Sequence, residues 1–320
     1  MNKLIIISGP TASGKTATSI ALAKLLNDQK IDAAVINFDS LLFYKELNIG
    51  TAKPTQDELE AVEHHLVDIS SINDPLNASD YIKLAEDKIN ELHMKNKIVF
   101  LVGGSAFYLR ALVKGMYESV GASQEIKDDV DKLYKENGID AIISYLKEHD
   151  PKSLDNLHVN DHYRLVRAVE HHKMTGTPIS DQKEKMDKED PYDFSNNAHP
   201  DWDILHLYLD LPKEEHWKII QKRSQKMFDD GLLGEVKDLL ESGFTGEERP
   251  LQSIGYKESL DFIRGIHSNL EDCLERLNIS TRQLAKSQRT FFKKIQPKET
   301  FHPLRDKEKI AQRVLAYIKQ

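Results

Sequence analysis

The first sixteen residues constrain this chain more than any other stretch. Leu4–Ser8 (LIIIS) is an apolar run of strand length that leads directly into Gly9, Pro10, Thr11, Ala12, Ser13, Gly14, Lys15 and Thr16. Those eight residues satisfy G-x-x-x-x-G-K-[ST] in full. Apolar residues recur at helical spacing from Lys15 to Leu26. A chance match to the motif in a chain of 320 residues is on the order of one in a hundred. Strand, glycine loop and helix in that order build an anion cradle. Glycines let successive backbone N–H groups face inward, and the helix N-terminus adds positive potential. Lys15 supplies a charge for bridging phosphates, and the Thr16 hydroxyl is a ligand suited to Mg²⁺.

The rest of the first third repeats the strand-helix alternation. Ala33–Phe38, Leu66–Ile69 and Ile98–Val102 read as further strands, and Tyr81–Lys95 as a helix. Such alternation predicts an α/β fold, with a parallel sheet covered on both faces. From Glu118 to Pro200 the β-branched runs stop and charged segments of helical pattern take over, with 11 basic against 18 acidic residues. Ser180–Pro200 reads as loop. Trp202–Leu211 (WDILHLYLDL) returns to strand texture. The pattern predicts one core, residues 1–117 and 201–320, with a helical insertion at 118–200. The C-terminal part reads as helical throughout.

The motif specifies phosphate without specifying a nucleoside triphosphate. A P-loop ATPase usually carries an Asp at the end of a later apolar strand to hold Mg²⁺. Here Ile98–Val102 ends in Gly103-Gly104-Ser105, and the carboxylate follows the second strand instead, as Asp39-Ser40. The carboxyl end of a parallel strand opens onto the ligand crevice, so Asp39 is a candidate general base or metal ligand; it could equally cap the next helical turn. His64-His65 offers no metal site, because neighbours on a strand face opposite ways and no further His or Cys spacing supports one.

Several basic groups remain open to two readings at this level. Arg223 is a phosphate-reaching or a solvated arginine. Arg164 and Arg167, three apart on one helical face, either bind phosphate or pair with Asp161 and Glu170. Between Arg276 and Lys294 lie six basic and no acidic residues, with Phe291 and Phe292 among them. Charge beside stacking surface suits nucleic acid, and a basic face over a buried Phe pair is the plainer alternative.

Composition excludes other classes. Cys273 is the only cysteine, which removes an internal disulfide framework and multi-cysteine zinc sites. No apolar stretch reaches the ~18 residues of a membrane span, and Leu4–Ile7 is too short for a signal peptide. A monomer acting in the cytoplasm, with no membrane partner, is expected. The formal net charge of −8 gives no general case for nucleic acid, so that case must be local.

Taken together, the motifs resemble the tRNA dimethylallyltransferase (tRNA isopentenyltransferase, IPP transferase) family over essentially the whole chain. The matching stretches are GPTASGKT at 9–16, DSLLFYKELNIGTAKPT at 39–55, HHLVDI at 64–69, LVGGSAFYLRAL at 101–112 and RLVRAVE at 164–170. They continue as RSQKMFDDGLLGEV at 223–236, SIGYKE at 253–258 and TRQLAKSQRTFF at 281–292. The resemblance implies a P-loop NTPase-like core with an inserted helical domain that grips the anticodon stem-loop of tRNA. It implies transfer of a dimethylallyl group from dimethylallyl diphosphate to N6 of adenosine-37, immediately 3′ of the anticodon, with diphosphate rather than ATP in the loop.

Carried over by position, the resemblance makes Asp39 the base and assigns diphosphate to residues 9–16. Lys15, Arg223 and a Thr16-bound Mg²⁺ then stabilise the leaving group. It assigns tRNA contacts to Asp39, Ser40, Leu41, Leu42 and Ser105; to Tyr163, Arg164, Leu165, Val166 and Arg167; to Gln252, Gly255, Tyr256 and Lys257; and to Lys286, Gln288, Arg289, Phe291 and Lys293. Ser105, Ser287 and Phe291 depart from the family's frequent Thr, Arg and Trp. Three alternatives stand beside this one: a small-molecule P-loop kinase with Asp39 as base, an isopentenyltransferase acting on free adenine nucleotides, and a non-enzymatic RNA-binding module.

Overall fold

The computed structural model describes residues 2–116, 122–186 and 190–320. The chain divides into two compact units, Met1–Lys114 with Tyr192–Gln320, and Gly115–Pro191.

In the first unit, β1 (Asn2–Ser8) is followed by the glycine loop and α1 (Lys15–Asp28). Next come β2 (Ala33–Asn37), α2 (Gln56–Ala61), β3 (Glu63–His65), α3 (Ala78–Met94), β4 (Ile98–Gly103) and α4 (Ala106–Lys114). Among the described residues the sheet has six strands in the order β3-β2-β4-β1-β5-β6, and every pairing is parallel. Leu4 and Ile6 pack into the core on one face of β1, and Ile5 and Ile7 into the core on the other. Burial on both faces is why the strand reads as an unbroken apolar run instead of alternating. The chain leaves β1 to one side through α1 and reaches β5 on the other. The carboxyl ends of β1, β4 and β2 therefore border the crevice where ligands of such sheets bind.

One strand expectation needs correction. The third strand is Glu63–His65, not Leu66–Ile69. Leu66 and Asp68 adopt left-handed φ of 59° and 57°, which breaks any extended run there. The Asn37 side chain donates to the Leu66 carbonyl at 2.9 Å and holds that turn against the end of β2.

The second unit is helical: α5 (Gln124–His149), α6 (Pro151–Asn156), α7 (His162–Thr175) and α8 (Ile179–Met186). α5 is interrupted at Gly138, where φ is 70°. Its core is Val130, Ile142, Leu146, Leu165, Ala168 and Val169. Part of the segment read as loop is thus the helix α8, while 187–189 lie outside the described residues. α8 is too polar and short to signal itself by period. It is tied down by buried Asp150, whose carboxylate accepts from Ser153 Oγ at 2.7 Å and from the Ser180 hydroxyl and N–H.

Beyond Pro191 the chain packs on the first unit. Phe194 is buried there, and its N–H donates to the Gln296 carbonyl at 2.6 Å. Then follow β5 (Trp202–Leu209), α9 (Lys213–Asp229), α10 (Leu232–Glu241), α11 (Tyr256–Ile263), α12 (Leu270–Phe292), β6 (Glu299–Phe301) and α13 (Lys307–Ile318). The C-terminal part is therefore not helical throughout. Three residues form β6 because Leu207–Leu209 offers an edge to pair with. No helix among the described residues is long and apolar enough to cross a membrane.

Candidate active site

The glycine loop turns at the carboxyl end of β1 and feeds α1, as the motif requires. Ala12 sits in the left-handed region, with φ 60°, one residue after Thr11. The Lys15 ammonium folds back to donate to the carbonyls of Pro10 at 2.9 Å and Gly9 at 3.1 Å. Lys15 as a whole is half-buried. Burial lowers its pKa to about 8, Asp39 opposes the shift and Arg223 assists it.

Asp39 follows β2 and caps the next turn, while its second carboxylate oxygen stays out of the cap. Its Oδ1 accepts the Leu41 N–H at 3.4 Å, capping a short 3₁₀ turn at Ser40–Phe43. Its own N–H donates to Asn37 Oδ1 at 2.8 Å, and its carbonyl accepts from Asn37 Nδ2 at 3.0 Å. One carboxylate oxygen is engaged in the cap and Oδ2 is directed into the crevice. A β-carbon added to Gly104 would lie 3.6 Å from that Oδ2, 3.5 Å from Lys15 Nζ and 2.8 Å from Gln288 Nε2. Gly104 is thus the floor of a small space shared by Asp39, Lys15 and Gln288. Gly103 is required for another reason: a β-carbon there would meet Phe38 at 2.7 Å, where β2 and β4 end side by side. The Ser105 hydroxyl accepts the Ser40 N–H at 3.2 Å and joins the two turns.

Arg223, from α9, donates to Thr11 Oγ1 at 3.2 Å and to the Thr51 carbonyl at 3.4 Å. Burial lowers its pKa, with Asp39 opposing. Among the described residues no carboxylate forms an ion pair with Arg223 or Lys15. Two enclosed cations beside one glycine loop make a pocket that favours an anion, because a buried charge without a partner is costly.

The loop that presents Thr51 is held from α10. Glu235 accepts the N–H of Ile49 at 2.8 Å and those of Asn48 and Gly50 at longer range, and it also accepts the Tyr256 hydroxyl. Tyr256 is fully buried, and burial together with Glu235 raises its pKa. Gly50 lies against that ring, where a β-carbon would come within 2.4 Å. Sequence reasoning did not single out Glu235. It stands inside the family-like stretch at 223–236, but nothing local ties it to a loop 187 residues earlier.

The C-terminal basic stretch is the second half of α12, and its two faces differ. Ala285, Gln288, Arg289 and Phe292 point inward; Lys286 and Lys293 are exposed. Gln288 bridges the site, accepting the Thr11 N–H at 2.7 Å and donating to the Gly104 carbonyl at 2.9 Å. Arg289 donates to Asp210 Oδ1 at 2.7 Å, to the Leu211 carbonyl at 3.1 Å and to His216 Nδ1 at 2.6 Å. Phe291 is half-buried against Tyr192, with ring centroids 5.5 Å apart.

Other expected RNA contacts differ in what they present. Tyr163 is 56% exposed and the Arg164 side chain 68% exposed, with Asp161 3.2 Å away. Arg167 is paired with Glu170, Val166 is half-buried and Leu165 is fully buried in the helical unit's core. Gln252 and Lys257 are exposed, Lys257 beside Asp261 at 2.9 Å, whereas Gly255 is buried. Ser40, Leu41 and Leu42 line the short turn after Asp39, all half-buried.

Comparison with known proteins places this chain in one family. The family model described as IPP transferase matches residues 42–295, beginning past both the glycine loop and Asp39. A protein named tRNA dimethylallyltransferase 2 from Geotalea daltonii is 34% identical over 292 residues, 91% of this chain and 85% of that one. The tRNA dimethylallyltransferase of Geobacter sulfurreducens is 35% identical over 293 residues, covering 91% and 89%. Among solved structures, the full-length tRNA isopentenylpyrophosphate transferase of Bacillus halodurans aligns with 100% of this chain and 96% of its own, at TM-score 0.67 and 30% identity. A eukaryotic dimethylallyltransferase captured acting on tRNA aligns with 99% and 78%, at TM-score 0.79 and 27% identity. A family model that matches most of its length and relatives 34–35% identical over 91% of it show that this chain belongs to the IPP transferase family.

Proposed function

We propose that this protein transfers a dimethylallyl group from dimethylallyl diphosphate to N6 of the adenosine 3′ of the anticodon in tRNA, releasing diphosphate. The observation that carries the reading is the space over Gly104, where Lys15 Nζ and Asp39 Oδ2 are both within 3.6 Å of one point. An electrophile with an anionic leaving group and a nucleophile that must lose a proton need just such a pair.

The reaction divides between these residues. The allylic C–O bond breaks with its electron pair leaving on diphosphate, where Lys15, Arg223 and the loop N–H groups take up the developing charge. N6 bonds to the allylic carbon, and Asp39 Oδ2 takes one N6 proton as that nitrogen becomes positive. Thr11 N–H is already held by Gln288, so the loop donors available to diphosphate begin after it. Mg²⁺ fits the site: the Thr16 hydroxyl, on the first turn of α1, makes no hydrogen bond among the described residues and is a hard oxygen donor. Thr16 would hold the ion together with diphosphate oxygens, and when bound it supplies further positive charge to the leaving group.

A stacked adenine cannot reach Asp39, so the base must leave the anticodon loop. Lys286 and Lys293, exposed on α12, and Tyr163, Arg164 and Arg167 of the helical unit are proposed to track the RNA. Leu165 and Tyr256 are both buried, so the part proposed for them is to support the neighbours that face the RNA.

The test is transfer of radiolabelled dimethylallyl diphosphate to unmodified tRNA, with AMP and ATP as parallel acceptors. Label in tRNA, lost in Lys15→Ala and Asp39→Ala, is expected. Label in AMP alone would replace tRNA with free nucleotides as the acceptor, and consumption of ATP without transfer would return the kinase reading.

A further inference from the structure

All three polar groups of Thr11 are held by side chains from distant helices. Gln288 accepts its N–H at 2.7 Å, Arg223 donates to its hydroxyl at 3.2 Å, and His216 Nε2 lies 2.8 Å from its carbonyl. His216 is fully buried, and its other nitrogen faces the Arg289 guanidinium at 2.6 Å. These partners leave one tautomer. A carbonyl only accepts, so Nε2 carries the hydrogen; a guanidinium only donates, so Nδ1 must be bare. Asp210 holds the guanidinium from the other side, at 2.7 Å.

We propose that His216 is a positioning residue for the diphosphate loop, acting through the Thr11 carbonyl, and that Arg289 and Asp210 serve the same task by fixing its tautomer. This deepens the reading above and rests on it for the identity of the anion. The loop needs such an anchor: Ala12, the next residue, is in the left-handed region that residues with a β-carbon adopt only when their surroundings impose it. Pinning the Thr11 carbonyl sets the direction in which the N–H groups of 12–16 point. Three of the five N–H donors of Arg289 are engaged by Asp210, Leu211 and His216, which turns its guanidinium toward the loop anchor.

The charged groups facing His216 support a neutral ring. Burial lowers its pKa; the Thr11 carbonyl and Asp210 oppose that, while Arg289 and Lys15 add to it.

Binding of dimethylallyl diphosphate and of inorganic diphosphate by calorimetry, tRNA binding by filter retention, and steady-state kinetics together test the assignment. His216→Phe keeps the ring volume and removes both polar contacts. It is expected to raise Kd and KM for dimethylallyl diphosphate about tenfold or more, with tRNA Kd unchanged. His216→Gln, which retains an N–H for Thr11 and an oxygen for Arg289, is expected within about threefold of wild type. Arg289→Gln is expected to weaken diphosphate and leave tRNA affinity alone, and its effect should vanish in the His216→Phe background.

Unchanged diphosphate affinity in a folded His216→Phe protein would overturn the proposal. So would Arg289→Gln weakening tRNA while sparing diphosphate. Should His216→Phe fail to fold, His216→Gln and Arg289→Gln decide by the same two affinities. A wild-type protein that binds diphosphate without modifying tRNA would remove the functional reading and leave this one intact.

Discussion

Lys15 Nζ and Asp39 Oδ2 face one another across Gly104, each within 3.6 Å of the point a β-carbon would occupy there. The tight contact at that point is Gln288 Nε2, 2.8 Å away, so a methyl group there would push the glutamine aside while only touching Lys15 and Asp39. Gly104→Ala is expected to lower kcat/KM at least ~10-fold, because the methyl displaces Gln288, 2.8 Å away, and fills the space that Lys15 and Asp39 border. The melting temperature should move little, as the end of a glutamine side chain can yield. Wild-type kinetics in this variant would sink the idea that the space is used.

A single substitution separates the cap that Asp39 makes from the proton transfer proposed for it. Asp39→Asn keeps an oxygen for the Leu41 N–H and so preserves the turn at Ser40–Phe43. It cannot take a proton from N6, and kcat should fall by ~10²–10⁴ while tRNA affinity stays within a few-fold. Single-turnover transfer beside a tRNA binding curve checks both halves. Loss of tRNA binding in Asp39→Asn would make the residue structural.

The lowered pKa of Lys15, about 8, has a direction that can be measured. Diphosphate is attracted by the ammonium, and that proton leaves the unliganded protein as pH rises through about 8. Affinity for dimethylallyl diphosphate should therefore be level below that pH and decline by up to ~10-fold per unit above it. Calorimetry from neutral to alkaline pH reads the slope. Lys15→Met should bind weakly and without that decline; a wild-type profile with no alkaline fall would contradict the burial of the ammonium.

Glu235 gathers three backbone N–H groups and the Tyr256 hydroxyl onto one carboxylate. Glu235→Ala orphans them together and is expected to cost about 2 kcal/mol, or ~5 °C in Tm. Activity should fall further than stability accounts for, since the same loop supplies the Thr51 carbonyl to Arg223. Glu235→Gln, which keeps an acceptor, should recover part of both; a melting curve and a kcat measurement on each variant suffice.

Lys286 and Lys293 are exposed, in contrast to the inward Arg289 between them. Each replaced by Ala should weaken tRNA binding and lower the slope of log affinity against log salt by about 0.7–0.9 for every phosphate no longer neutralised. Arg164→Ala in the helical unit should behave likewise. A salt slope identical to wild type in all three would place the RNA elsewhere.

Short-range features were legible without the fold. An apolar run, a glycine loop and a helical period lie within 26 residues of one another, and their conformations follow from local sterics and burial on two faces. Asp39 was legible for the same reason, because a carboxylate directly after an apolar strand has few places to go. Leu66–Ile69 misled because its residue types suit a strand, while its backbone is turned and held by Asn37 at Leu66 and by the Leu42 carbonyl at Asp68. β6 was illegible because three residues become a strand only when an edge is offered to them. Arg289 shows the limit most clearly. Its basic neighbours and the nearby Phe pair suggest an RNA-facing surface, yet helix rotation turns it inward to Asp210 and His216. The partners of Thr11 lie 205, 212 and 277 residues away. The amino-acid sequence by itself determined that an anion loop would form at the end of β1. Which side chains hold that loop in shape was decided only when α9 and α12 packed against the sheet, since pairing across such separations depends on the whole core and on no local pattern.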